Sequence, residues 1–141
     1  MASSVIGAQL YTLRDFLKTP KDIRSTLARV SEMGYETVQT SGLGPIDAAE
    51  LRGVADEHQL KIVATHVGYT DIKDEPQKVI DQHQTWGCRH VGIGGMPGDY
   101  RSEDGFHRFA VDASEAARAL IDAGLTFSYH NHSFELESFG G

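Results

Sequence analysis

The sequence predicts an α/β fold, a partial (β/α)8 barrel of about five parallel strands and four helices, on three observations. Short apolar runs alternate with amphipathic stretches in the order β-α-β-α-β-α-β-α-β, which implies parallel strands joined by right-handed crossovers. Glycines stand where three of the helices end, Gly34, Gly87 and Gly124, each just before the next strand. Within each strand one parity set is small or polar and the other is apolar.

That parity decides between two architectures. The small or polar set is Gly7, Gln9 and Tyr11; Gln39 and Ser41; Ala64 and His66; Gly92 and Gly94; Ser128, His130 and His132. The apolar set is Ile6, Ala8 and Leu10; Val38; Val63; Val91 and Ile93; Phe127 and Tyr129. A doubly wound sheet is covered by helices on both sides and should be apolar on both. One apolar face against helices and one polar face converging at the strand C-termini is the barrel pattern, whose C-terminal rim carries the active site.

The elements follow in order. Val5 to Leu10 reads as a buried strand, and Y-T-L-R-D as the loop after it. Thr19-Pro20 starts a helix, with Thr19 as N-cap and Asp22 in the first turn; Ile23, Leu27, Val30 and Met33 form its apolar stripe. Thr37 to Thr40 is the second strand, and Asp47 to His58 the second helix, with Gly53 inside it. Lys61 to His66 is the third strand and Glu75 to Trp86 the third helix. His90 to Gly94 is the fourth strand, Ser102 to Ala123 one long fourth helix, and Thr126 to His130 the fifth strand. No linker or low-complexity segment divides the 141 residues, so one domain is expected.

Composition narrows the function. A net charge of −7 argues against a nucleic-acid footprint and against an anionic membrane surface. No apolar run approaches the roughly 20 residues of a membrane span, and M-A-S-S-V-I-G-A-Q-L lacks the positive region of a signal peptide. The single cysteine, Cys88, permits no internal disulfide and suits a reducing compartment. The expectation is a cytoplasmic protein acting on small molecules.

The chemistry gathers in L-T-F-S-Y-H-N-H-S-F-E, residues 125–135. His130 and His132 lie two apart at a strand end and read either as a metal ligand and acid–base pair or as solvated loop histidines around a turn-forming Asn131. Two histidines alone do not complete a metal site. His66 ends the third strand on the same inward face, and Gln39, Gln9 and Tyr11 offer hydrogen bonds to a polyol. Glu135 and Glu137 read as surface charges, and His58, His83 and His107 as surface or packing residues. The loop Gly94-Gly95-Met96-Pro97-Gly98 lets backbone approach a substrate but lacks the spacing of a nucleotide motif.

Four stretches, G-A-Q-L-Y-T-L-R-D, M-G-Y-E-T-V-Q-T-S-G, A-T-H-V-G and F-S-Y-H-N-H-S-F-E-L, together resemble the sugar phosphate isomerase/epimerase family of the xylose isomerase-like TIM-barrel superfamily. The resemblance implies a (β/α)8 barrel with a divalent metal (Mn, Mg, Co or Zn) at the rim, promoting proton or hydride shifts on a small sugar or polyol. It implies catalytic roles for His130 and His132, with His130 as the metal ligand. His66, Asn131, Gln39, Gln9 and Tyr11 would then bind substrate. His stands at position 130, and Gln at position 39, where many relatives carry Glu. Relatives continue through three more strands that supply further metal ligands, so a half-barrel, inactive on its own, is expected here. The expected consequence is either self-association through the free edges of strands one and five or membership of a longer protein. Two other readings are a non-catalytic carbohydrate-binding or self-assembling module and a metal-dependent phosphoesterase acting on DNA; the acidic charge opposes the second.

Overall fold

The computed structural model describes residues 6–139. Five parallel strands form one sheet in sequence order: β1 (Ala8–Gln9), β2 (Thr37–Thr40), β3 (Lys61–Val67), β4 (His90–Ile93) and β5 (Thr126–Tyr129). Six helices pack beside them: α1 (Pro20–Glu32), α2 (Ala48–Glu57), α3 (Tyr69–Asp74), α4 (Pro76–Trp86), α5 (Glu103–Ala116) and α6 (Arg118–Asp122). Strands in sequence order, the first four each followed by helices, are the succession of a (β/α) barrel, and β1 and β5 are its edges here. Among the described residues no helix is long and apolar enough to cross a membrane.

Local signals explain the element starts. Thr19 closes a full capping box on α1: its hydroxyl accepts from the Asp22 N–H, and the Asp22 carboxylate accepts from the Thr19 N–H at 3.1 Å. Asp47 caps α2 through the Ala49 and Glu50 N–H groups, and Ser102 caps α5 through the Gly105 N–H. Gly87 ends α4 in the left-handed region, with φ 65°.

The core lies on the helix side of the sheet in two clusters. Leu10, Leu17, Ile23, Leu27, Val38, Leu51 and Ile62 fill the first, and Ile72, Val79, Val91, Ile93, Phe109 and Leu120 the second. Truncating one such leucine to alanine costs about 2–5 kcal/mol.

Four expectations about local structure need correction. The loop after the first strand is a 3-10 helix, Leu10–Phe16, which turns Leu10 into the core and shortens β1 to two residues; Val5 lies outside the described residues. The segment between the third strand and the third expected helix, for which no element is expected, carries a short helix, α3. The long fourth helix is divided at Ala117, whose N–H donates to the Ala113 carbonyl at 3.0 Å, into α5 and α6, so six helices stand where four were expected. Finally, Val63 does not face the helices. Val38 pairs with Ile62 but Gln39 pairs with Ala64, so Val63 is the extra residue of a bulge. It is 40% exposed, while Ile62 and Thr65 take the buried positions.

Candidate active site at the C-terminal rim

Cα partners on parallel strands point to the same side of the sheet. His66 on β3, Gly92 on β4 and the Ser128 position on β5 therefore form one row on the face away from the helices. Glycine at the centre of that row is required by space. A Cβ on Gly92 would lie 2.9 Å from the Thr65 carbonyl oxygen, 3.2 Å from Ser128 Oγ and 3.3 Å from His66 Cδ2. The next two glycines make room likewise: a Cβ on Gly94 would meet His66 Nδ1 at 3.3 Å, and one on Gly95 would meet His132 Cε1 at 3.1 Å. The end of β4 is thus a bare backbone shelf beneath imidazoles.

Across that shelf the histidines meet. The His66 and His130 rings stand edge to face with centroids 5.1 Å apart, and His130 and His132 do the same at 5.0 Å. Ser41, at the end of β2, lies 3.3 Å from His66 Nδ1 through its hydroxyl. Burial, and then the neighbouring charge of His130 and His132, pushes the His66 pKa below the ordinary histidine value.

His132 reaches the cluster by a route other than strand alternation. β5 ends at Tyr129, and only the His130 N–H extends the ladder, donating to the Ile93 carbonyl at 3.1 Å. The chain then turns through a 3-10 segment, Phe134–Leu136. Glu135 folds back to accept a hydrogen bond from the His132 N–H at 2.6 Å and another from the Tyr129 hydroxyl. Its side chain is only 12% exposed, so the expectation of a surface charge is corrected. Burial opposes ionisation of Glu135, but these hydrogen bonds outweigh it and hold the carboxyl below its ordinary range. The His132 ring stacks on Phe134, 5.7 Å away and nearly parallel.

Of the residues read from sequence, His66, His130 and His132 come together. Gln9 and Gln39 pair in register with Ala64, one row deeper than His66. The Gln9 Oε1 atom is buried without a hydrogen-bond partner among the described residues. Asn131 is exposed between the two histidines. Tyr11 is not on the inward strand face; the 3-10 helix carries it to the β2–α2 loop, where Arg14 covers its ring at 4.6 Å. His83 is fully buried, as a packing residue should be, and its two ring nitrogens meet the Thr65 hydroxyl at 2.8 Å and the Val79 carbonyl at 2.7 Å. Burial pushes the Cys88 thiol pKa up, which suits an inert core cysteine.

The three rings run in a chain from His66 to His130 to His132. Among the described residues no three His, Cys, Asp or Glu side chains are grouped to hold a metal ion. The donor set of this chain does not by itself fit a resident divalent metal.

Two clefts flank His66. One, of about 280 Å³, lies on the β2 side and includes Ser41, Asp71 and Gln82. The other, of about 430 Å³, lies on the β4 side and includes Gly94, Gly95, Arg101 and His132. Sequence reasoning missed Ser41, Glu135 and Arg101 as site residues. Only Ser41 carried a local signal, its place two residues beyond Gln39 on the inward face.

No family model matches the sequence, and no curated protein matches it. Solved structures do. A sugar phosphate isomerase/epimerase from Parabacteroides distasonis ATCC 8503 matches with TM-score 0.73 at 22% identity, over 93% of this chain and 56% of that one. A second sugar phosphate isomerase/epimerase from the same organism matches with TM-score 0.74 at 20% identity, over 94% of this chain and 53% of that one. An AP endonuclease, family 2, from Brucella melitensis matches with TM-score 0.63 at 16% identity, over 89% of this chain and 54% of that one. The chain spans about half the length of the structures it matches. At these identities the likeness is one of architecture: the chain folds as five parallel strands with their helices, matching about half of each of these structures.

Proposed function

We propose that this chain carries the acid–base side of a sugar isomerase or epimerase site, acting on a small sugar or polyol. The observation that carries the reading is the contact of His66, His130 and His132 over the glycine shelf at the C-terminal rim. That rim is where barrel enzymes place their chemistry, and the printed names of two structural neighbours supply the reaction class.

The mechanism follows from the nitrogens. With Nδ1–H donating to Ser41 Oγ, His66 keeps a free lone pair on Nε2. Its lowered pKa keeps that lone pair available near neutral pH. Nε2 takes the proton from the carbon beside the substrate carbonyl. The C–H electron pair moves into a C=C bond, and the carbonyl oxygen takes up negative charge as an enediolate. His130 donates a ring N–H proton to that oxygen. Return of the proton from His66 to the former carbonyl carbon, on the face it left, while the neighbouring hydroxyl gives its proton back to His130, yields an isomer; an epimer needs a second acid that protonates the original carbon from the opposite face.

Incubation of the chain with small ketoses in deuterated buffer, followed by proton NMR, tests this. The expected result is deuterium entering at the carbon beside the carbonyl, slowed about 10²–10⁴-fold in His66→Asn. No exchange above buffer in the wild-type chain sinks the proposal.

A further inference from the structure

We propose that His132 is the second acid of this site: it protonates the substrate carbon from the face opposite His66, which makes the reaction an epimerisation. The assignment rests on the function proposed above and decides between its two outcomes. Four observations carry it.

First, His66 and His132 line one cleft of about 430 Å³, together with Gly94 and Gly95. Small-molecule sites run from about 300 to 1,000 Å³. A ligand in this cleft therefore meets both imidazoles.

Second, the two imidazoles approach the glycine shelf from different sides. Gly94 keeps the strand parity of Gly92, and a Cβ there would meet His66 Nδ1 at 3.3 Å. Gly95, with φ 155°, departs from that parity, and a Cβ there would meet His132 Cε1 at 3.1 Å. Consecutive residues thus aim their vacant Cβ positions at different rings. A flat enediolate lying on these two glycines presents one face to each ring.

Third, the spacing suits a single carbon. His66 and His132 each stand edge to face with His130, at 5.1 and 5.0 Å between centroids, so their own centroids lie no further apart than twice that. Two nitrogens that each reach the same carbon at about 3–3.5 Å stand roughly 6–7 Å from one another, inside that limit. His130, beside both, is left for the oxygen.

Fourth, His132 is held as a proton carrier. Its ring stacks on Phe134 and its backbone N–H is tied to Glu135, which together fix its direction. Its Nδ1 faces the Glu135 carboxylate, 3.9 Å away, and Nε2 is left for the ligand. The side chain is 45% exposed, so solvent can replace the proton it gives.

The step balances within these groups. His66 Nε2 takes the proton from one face of the carbon, and the C–H electron pair becomes the C=C bond of the enediolate. As the carbonyl re-forms, that pair makes a new C–H bond to the proton carried by His132 Nε2, at the same carbon and from the other face. His66 then gives its proton to solvent and His132 regains one. In the reverse direction the two exchange roles.

D-ribulose and D-xylulose, which differ only at C3, test the assignment. Each is incubated with the full chain in deuterated buffer and followed at C3 by proton NMR, with His132→Asn, His132→Gln and His66→Asn beside wild type. Circular dichroism checks that the variants fold. Wild type should convert each sugar into the other, with deuterium entering the new epimer before the starting sugar. The His132 variants should still exchange C3 of the epimer whose hydrogen faces His66, but form the other epimer at least about 10²-fold more slowly. His66→Asn should give the mirror image, with exchange surviving only in the opposite epimer. Epimer formed at the wild-type rate by either His132 variant, or loss of exchange from both sugars in folded His132 variants, overturns the assignment. So does an aldose as the only product of wild type. If wild type exchanges deuterium without forming the epimer, only the role of His132 falls. If no deuterium exchanges, the proposed function falls with it.

Discussion

The imidazole rings of His66 and His130 meet edge to face, 5.1 Å between centroids, across a strand position that only glycine can fill. Two imidazoles this close resist carrying charge together. His66 is the more buried and bears the shift: desolvation first, then repulsion from His130 and His132, lowers its pKa. Its Cε1 proton should therefore titrate below the ordinary value of about 6.5. In His130→Asn one repulsion is gone and the His66 pKa should rise, though not to the free value, because burial remains. Proton–carbon NMR of the histidine ring resonances reads both effects. A His66 titration indifferent to His130→Asn would show that the two rings do not share charge.

Stability should follow the same histidines. Burial also lowers the His83 pKa, against the opposing effect of its hydrogen bond to the Val79 carbonyl. For both groups the folded value lies below the unfolded one. Between those two values the unfolded chain binds more protons, so unfolding free energy rises with pH through this window. Lowering the pH from 7 through the ordinary histidine range of about 6.5 should therefore lower the urea midpoint, and the fall should be shallower in His66→Asn. An equally steep fall in that variant would assign the acid sensitivity to other groups.

Much of this arrangement is legible in the sequence because it is local. Thr19, Pro20 and Asp22 announce the start of α1, and the structure closes that cap. The alternation of small polar and apolar residues foretells an inward face on which His66 and His130 meet. What escaped is non-local. One extra residue in β3 puts Val63 in solvent and Thr65 against α4, and a period-two pattern carries no sign of such an insertion. Glu135 and Arg101 look like ordinary loop charges until the turn after β5 folds back on itself. His132 was expected to reach the site by strand alternation, yet a carboxylate three residues later places it there.

The bulge sets up a third test. It turns Thr65 toward α4, where its hydroxyl meets His83 Nε2 at 2.8 Å in a fully buried pair. Because His83 Nδ1 already faces the Val79 carbonyl, Nε2 is the acceptor and the Thr65 hydroxyl its donor. Thr65→Val keeps the shape and removes the donor, stranding a buried acceptor. That should cost about 1–3 kcal/mol, measured by urea unfolding. A loss near zero would mean that His83 finds another partner or inverts its tautomer.

The turn that delivers His132 can be probed through Tyr129. Burial first, then the hydrogen bond to Glu135 and the charge of that carboxylate, pushes the Tyr129 hydroxyl up to about 12. Glu135→Gln removes the charge but keeps an acceptor, so Tyr129 should ionise below that value. It should still ionise above the free value of about 10, because its ring stays where it was. Ultraviolet titration of tyrosinate, taken as the difference from Tyr129→Phe, isolates this group from the other four tyrosines. Glu135→Ala removes both hydrogen bonds at once. The His132 amide should then exchange faster with solvent, and its ring should lose its shielding by Phe134. Deuterium exchange into a ketose should slow in Glu135→Ala and persist in Glu135→Gln, because a positioning residue acts through geometry, which the amide retains. Equal losses in the two variants would instead assign Glu135 a direct part in moving the proton.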